Sequence, residues 1–323
     1  MISTPTSSEQ PEKPVSDDSV AVLEALDAKI NAILPPRYIG CFEDVPSSSM
    51  GSASLKYDKN GKVAWDAIWT TFCHLALAGG PPHRGKFLSA VSAREAVAHP
   101  TEQAAVMAEI KRAIKLICIL DVIEEAPPGW VAIRCRDEDM AAWMVRAIVA
   151  ENVIAKHTGE VLFVPAGPHF RIEKEIKNVV VCVAKSCHYL LDHVEPESRP
   201  RGFGSELIQP PSPEQIELDQ SQYQSVLDEF AKQLARELGM PTIESTALGW
   251  IGIQCLHEEM AVWMQRAVVV ENVLARREGE VLFVPVTLTG AGSAVHEKVG
   301  QTLRESLLLW HLHSAAIAKK GPR

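Results

Sequence analysis

The sequence predicts an α+β fold: tandem pseudo-symmetric β-α-β-β-α units, each a split β-α-β, ferredoxin-like half, with an N-terminal hairpin and helix segment packed on them. Three observations carry this. First, Gly129 to Pro165 reads GWVAIRCRDEDMAAWMVRAIVAENVIAKHTGEVLFVP, and Gly249 to Pro285 reads GWIGIQCLHEEMAVWMQRAVVVENVLARREGEVLFVP. One unit therefore occurs twice at a constant offset (249 − 129 = 120), with about 23 identities over 37 aligned positions. Second, the hydrophobic period switches between two and 3.6 inside each copy. Third, a Pro-, Gly- and Ser-rich stretch separates the copies. A single copy exposes strand edges and one sheet face, which a second copy can cover.

Residues 1–18 are Ser, Thr, Pro, Glu and Asp with few apolar groups. They bury too little surface to offset ordering entropy, so a disordered tail is expected. Residues 19–99 form an N-terminal helix, hairpin and Gly/Pro-loop segment. In Ser19 to Leu34, Val20, Leu23, Leu26, Ile30 and Ile33 recur at helical spacing. Asn60-Gly61 tolerates positive φ and predicts a hairpin turn. A helix is expected from Asp66 to Ala78, stopped by Gly79-Gly80-Pro81-Pro82.

Residues 100–195 form repeat one, 196–220 a Pro-rich linker, 221–315 repeat two and 316–323 a basic tail. Within repeat one, helix 102–120 comes first. Val131, Ile133 and Cys135 then alternate as a strand, and Met140, Trp143, Met144, Ala147 and Ile148 follow as a helix. Asn152 closes that helix, because Asn accepts the left-handed conformation. Val153 to His157 and Val161 to Val164 pair around Thr158-Gly159, and a long helix runs from Phe170 to His193.

The net charge of −9 excludes broad nucleic-acid or anionic-membrane binding, which needs a concentrated basic face. No apolar run reaches the roughly 18 residues of a membrane span, and the N-terminus reads as neither a signal nor a transit peptide. Seven Cys, an odd number without a C-x-x-C pair, argue against a disulfide framework or zinc ribbon and make a reducing cytoplasm the default. Cys73/His74/His83, Cys187/His188/His193 and His311/His313 hold metal-binding atoms but lack the spacing of a closed zinc site, so no metal ligand is assigned. No motif specifies a cofactor, which stays unknown.

Residues kept in both copies read as scaffold. Trp143/Trp263, Met140/Met260 and Met144/Met264 are phased for a buried face, and Cys135/Cys255 act as small hydrophobes. Glu151 falls on the apolar side of its helix and needs a partner, for which Arg146 is the candidate; a structural pair is the simpler reading.

Residues of one copy only are more telling. After Pro165, copy one has His169, Arg171, Lys174, Lys177 and Asn178 around a helix start, where free N–H groups and the dipole favour an anion. Lys174, Lys177, Asn178, Lys185, His188 and Asp192 continue as a polar stripe that copy two lacks; a solvated face is the plain alternative. The Gly79–Lys86 loop adds His83 and Arg84.

The expectation is one asymmetric site between repeat one and the N-terminal segment, binding a small anionic metabolite through His83, Arg84, His169, Arg171, Lys174, Lys177, Asn178 and Lys185. The protein is then an enzyme or enzyme subunit of cofactor or secondary metabolism, with His188 and Asp192 as base and partner. The competing reading is a non-catalytic regulatory or assembly module that docks a partner protein through the polar face of the repeat-one C-terminal helix. The expected partners are therefore a small anionic molecule or a protein, not nucleic acid or membrane, and the chain could form a homodimer.

Overall fold

The computed structural model describes residues 17–34, 54–67, 75–80, 82–118, 120–192, 207–288 and 293–320. The tail at 1–16, most of the linker (193–206) and the last three residues lie outside them, as do residues 68–74.

The fold is α+β, with two four-stranded antiparallel sheets flanked by helices. The first half runs α3 (Pro100–Ile117), β1 (Asp121–Ile123), β2 (Trp130–Arg134), α4 (Glu138–Ala150), β3 (Lys156–Thr158), β4 (Val161–Pro165) and α5 (Lys177–Asp192). The second half runs α7 (Gln220–Leu238), β5 (Thr242–Glu244), β6 (Trp250–Gln254), α8 (Glu258–Val270), β7 (Arg276–Glu278), β8 (Val281–Pro285) and α9 (Ala294–Lys320). The strand orders are β1-β2-β4-β3 and β5-β6-β8-β7. Register follows the 120-residue offset: Trp130 faces Pro165 in one sheet and Trp250 faces Pro285 in the other.

The β-α-β-β-α expectation needs correcting on one point. Each sheet has a further strand, β1 or β5, paired to the outside of β2 or β6. Each spans three residues, too few to display a period-two pattern.

The correspondence also begins before position 100. Leu88 makes a parallel bridge to Val153, and Ile208 makes the same bridge to Val273. Short helices follow, α2 (Ala93–Ala98) and α6 (Pro213–Leu218), capped by the Ser92 and Ser212 side chains. Residues 207–218, read from composition as linker, thus form ordered structure on the second sheet. Gly129 and Gly249 hold φ near +82° and +83°, and each lies under its own lead segment. A Cβ there would meet Val91 O at 3.1 Å or Pro210 Cβ at 2.9 Å.

Every residue of α4 from Met140 to Ala150 is buried, as is every residue of α8 from Met260 to Val270. Helices apolar on nearly every side lie inside, and the few polar side chains they carry need internal partners. The Arg146 guanidinium, on α4, donates to Asn272 Oδ1 (2.7 Å) beyond the end of α8, and Asn152 Nδ2 donates to Arg277 O (2.8 Å). The halves are therefore joined by polar contacts at the ends of their central helices.

The N-terminal segment packs on both halves. Helix α1 (Asp17–Ala32) lies against α8 and α9. Just beyond it, Ile33 O accepts from the Trp143 indole (3.3 Å). The turn between Tyr57 and Val63 is present, and Trp65 Nε1 donates to Glu109 on α3 (2.8 Å). Most of the expected helix from Asp66 to Ala78 falls on residues 68–74, outside the described set; the described ends are short 3-10 turns, Trp65–Ala67 and Ala76–Ala78. The Ala76 N–H is committed to the Glu151 carboxylate, and Gly79 at φ 94° reverses the chain.

Candidate functional site

The site is built on the end of α4. After Ala150 the chain passes through Glu151 to Asn152, whose φ of 61° is left-handed, and the turn leaves the Glu151 side chain fully buried. Three donors meet its carboxylate. Lys185 Nζ, from α5, lies 2.8 Å from Oε1; Ala76 N donates to Oε1 at 2.8 Å; His83 N donates to Oε2 at 2.7 Å. Arg146, the expected partner, is instead spent on Asn272 and on the Ala142 and Val269 carbonyls. Lys185 is 34 residues from Glu151 in sequence (185 − 151), so no helical spacing could point to it.

The loop bearing His83 and Arg84 is held from both halves. Leu77 O accepts from Arg266 Nε (3.0 Å), Gly80 O from Arg277 Nη2 (3.0 Å) and Arg84 O from Asn152 Nδ2 (3.0 Å). Part of the His83 residue reaches the surface, yet both ring nitrogens are buried; the Asn178 side chain lies within bonding reach of the ring and can satisfy at most one of them. Burial is the main cause that pushes the His83 imidazole down to about 4. Lys185 and Lys177 push the same way, while Glu151 and Asn178 oppose it. His83 is thus neutral near pH 7, with one ring N–H and one ring lone pair to offer. Arg84 Nε is likewise buried without a partner in the described residues. The Lys177 side chain is buried, which lowers its pKa.

The ten residues singled out from sequence fall into three groups. His83, Lys177, Asn178 and Lys185 come together around Glu151, and Arg84 borders them through Asn152. His169, Arg171 and Lys174 lie on the exposed surface. His169 Nδ1 stands 3.1 Å from Glu95, and Arg171 pairs with Glu175 at 3.5 Å. His188 is half-buried with its ring edge-on to Tyr189; the Asp192 side chain lies outside the described residues.

The helix start does not wait for an external anion. A π-helical turn, Ile172–Ile176, leads into α5, and the Arg171 backbone N–H donates to Glu175 Oε2 (3.1 Å). A carboxylate from the next turn fills the position that the dipole favours for negative charge.

Glu151, Asn152, Arg276 and Arg277 carry much of the buried polar network but were not placed in the site from sequence. In the sequence Glu151 reads as a carboxylate that needs a structural partner and Asn152 as a helix stop, while Arg276 and Arg277 carry no signal beyond charge similarity between copies. Cys135 and Cys255 are buried, and burial pushes both thiols up to about 12, which keeps them protonated. Among the described residues no group of three or more His, Cys, Asp or Glu side chains could hold a metal ion, and no helix is long and apolar enough to cross a membrane.

Among the described residues, the Lys185 ammonium is paired with the Glu151 carboxylate, beside a neutral imidazole and the buried Lys177. Arg84 Nε is the buried donor beside it that lacks an acceptor in the described residues. Comparison of the chain with family models, curated proteins and solved structures returned no match.

Proposed function

We propose that the protein binds a small anionic molecule, a carboxylate or phosphate, at the centre formed by His83, Arg84, Lys177, Asn178 and Lys185. The observation that carries this reading is the buried nitrogens of His83 and Arg84 that lack a full set of partners in the described residues, beside the Lys185–Glu151 pair. Unsatisfied buried polar groups cost free energy, and a bound anion would supply the missing acceptors. Charge-assisted hydrogen bonds from Lys177 and Arg84 would fix it. A neutral imidazole in such a site is suited to passing a proton, so an enzymatic role for the centre rests on His83 more than on His188.

The reading places each sheet and its helices as one ferredoxin-like unit, duplicated, with the site confined to the first copy. The repeated strand order and register support the duplication. The described cysteines are buried and in the thiol form, which fits a reducing cytoplasm. The docking alternative needs an exposed polar face on α5. The burial of Lys177, Val181 and Lys185 weighs against it.

The test is isothermal titration of the full chain with inorganic phosphate, succinate and pyruvate. At least one should bind, and Lys177→Met should weaken it by tenfold or more while Arg171→Ala and Lys174→Ala leave it unchanged. No binding by any of the three, or equal binding by Lys177→Met, overturns the reading.

A further inference from the structure

The 120-residue offset pairs Lys156 with Arg276, His157 with Arg277 and Glu138 with Glu258. The backbone keeps step: His157 faces Leu162 across β3 and β4, and Arg277 faces Leu282 across β7 and β8. The first cation of each pair keeps step as well. Lys156 Nζ stands 4.3 Å over the Trp130 ring, and the Arg276 guanidinium 5.2 Å over the Trp250 ring. The next side chain is what changes. In the second half Arg277 is wholly buried, pairs with Glu258 and donates from Nη2 to Gly80 O (3.0 Å). In the first half the shorter His157 stands at that position. A cavity of about 180 Å³ lies beside it, between β3 and residues 209–215, with Trp130, Lys156, His157, Gln209 and Pro211 in its walls. It is smaller than a drug-sized pocket and suits a ligand of a few heavy atoms.

The polar atoms without partners at this place are acceptors. His157 Nδ1 lies 3.2 Å from Gly159 O. A carbonyl only accepts, so Nδ1 holds the ring proton and Nε2 presents a lone pair. That Nε2 is buried without a hydrogen bond among the described residues, and so is Gln209 Oε1. The Glu138 carboxylate is close enough to act on the His157 ring, yet no cation pairs with it among the described residues, whereas its counterpart Glu258 holds Arg277. An exposed carboxylate alone makes no demand for a partner. Two buried acceptors do, because each costs free energy until a donor reaches it. This fold accommodates a second cation beside the first, as Arg276 and Arg277 stand next to each other in β7.

We propose that this cavity binds a small guanidinium compound, whose N–H groups donate to His157 Nε2 and Gln209 Oε1 while its charge faces Glu138. The ligand brings from outside the group that Arg277 provides from within the chain in the second half. A planar fork of N–H donors with no acceptor suits a site whose open positions are all acceptors. Carboxylates and phosphates are rejected, since they would add acceptors to a place that already lacks donors.

The proposal is independent of the anion centre, which uses none of these residues. Its test is an NMR titration of the full chain at about pH 7 with methylguanidinium, N-methylurea and methylammonium, read on the backbone amides of β3 and α6. N-methylurea keeps the shape without the charge, and methylammonium keeps the charge without the fork. Methylguanidinium should bind at least tenfold more tightly than either. Gln209→Leu should weaken it by about tenfold, and Glu138→Gln, at an exposed position, by about fivefold. His157→Arg, which installs the side chain of the second half, should abolish binding and melt at or above the wild-type temperature. Equal affinity for the three compounds, or no binding of methylguanidinium, overturns the proposal. So does binding unchanged in both Gln209→Leu and Glu138→Gln. A His157→Arg variant that melts below the wild type overturns it too, since the cavity then has no place for a guanidinium.

Discussion

The Lys185 ammonium meets the Glu151 carboxylate at 2.8 Å, with both side chains almost wholly out of water. Breaking a buried pair leaves an uncompensated charge, so Lys185→Met should cost about 3–5 kcal/mol in urea unfolding. Glu151→Leu should cost at least as much, since it also leaves the Ala76 and His83 N–H groups without an acceptor. The double variant should be less unstable than the sum of the two singles. Strict additivity would show that the pair is not energetically coupled.

The pH dependence follows from His83. Its imidazole is held down to about 4 in the folded protein, against 6.5 for the free side chain. Between these values the unfolded chain binds a proton that the folded one does not, so stability rises with pH across that window. The contribution is complete above about pH 6.5 and is lost as the pH falls toward about 4, to a total of about 3 kcal/mol. Chemical denaturation at a series of pH values should show this slope for the wild type and a flatter one for His83→Gln. An identical slope in both would remove His83 as the source.

Asn152 and Asn272 both sit in the left-handed region, at φ 61° and 63°. Alanine there pays backbone strain that glycine avoids, about 1–2 kcal/mol. Asn272→Ala should therefore be less stable than Asn272→Gly by about that amount, while both lose the bond from Arg146. Thermal melts of the two variants measure the difference directly, and equal melting temperatures would contradict the assigned backbone.

Arg171 and Lys174 are exposed, and the Arg171 contact with Glu175 is long. Replacing either with Ala should change stability by no more than about 0.5 kcal/mol. A larger loss in urea melts would mean that the start of α5 is packed more tightly than described.

Much of the scaffold is legible in the sequence because its signals are local. Trp143, Met144 and Ile148 recur at helical spacing, and the Asn152 turn can be read from one residue type. Strands β1 and β5 are not legible, since three residues before a Pro- or Ser-containing turn carry no period. The bridges at Leu88 and Ile208 rest on single residue pairs that leave no pattern. The polar stripe of α5 suggested either a ligand face or a solvated one. Lys177 and Lys185 are buried because the loop of His83 is drawn onto Glu151 by hydrogen bonds spanning about 70 residues, beyond the reach of periodicity. Comparing the copies points to Lys177, Asn178 and Lys185, and the Gly/Pro loop points to His83; neither signal shows that they meet at Glu151. The separation of His169, Arg171 and Lys174 from them leaves no signal either, because all of these residues share one charge pattern along the chain.

The most direct test of the anion centre is an NMR titration of the His83 imidazole in the full chain, with and without saturating inorganic phosphate, succinate or pyruvate. An anion held beside the ring favours its protonated form, so the midpoint should rise from about 4 by at least one pH unit with the ligand that binds. A midpoint that stays fixed while titration calorimetry records binding would place the anion elsewhere and contradict the account.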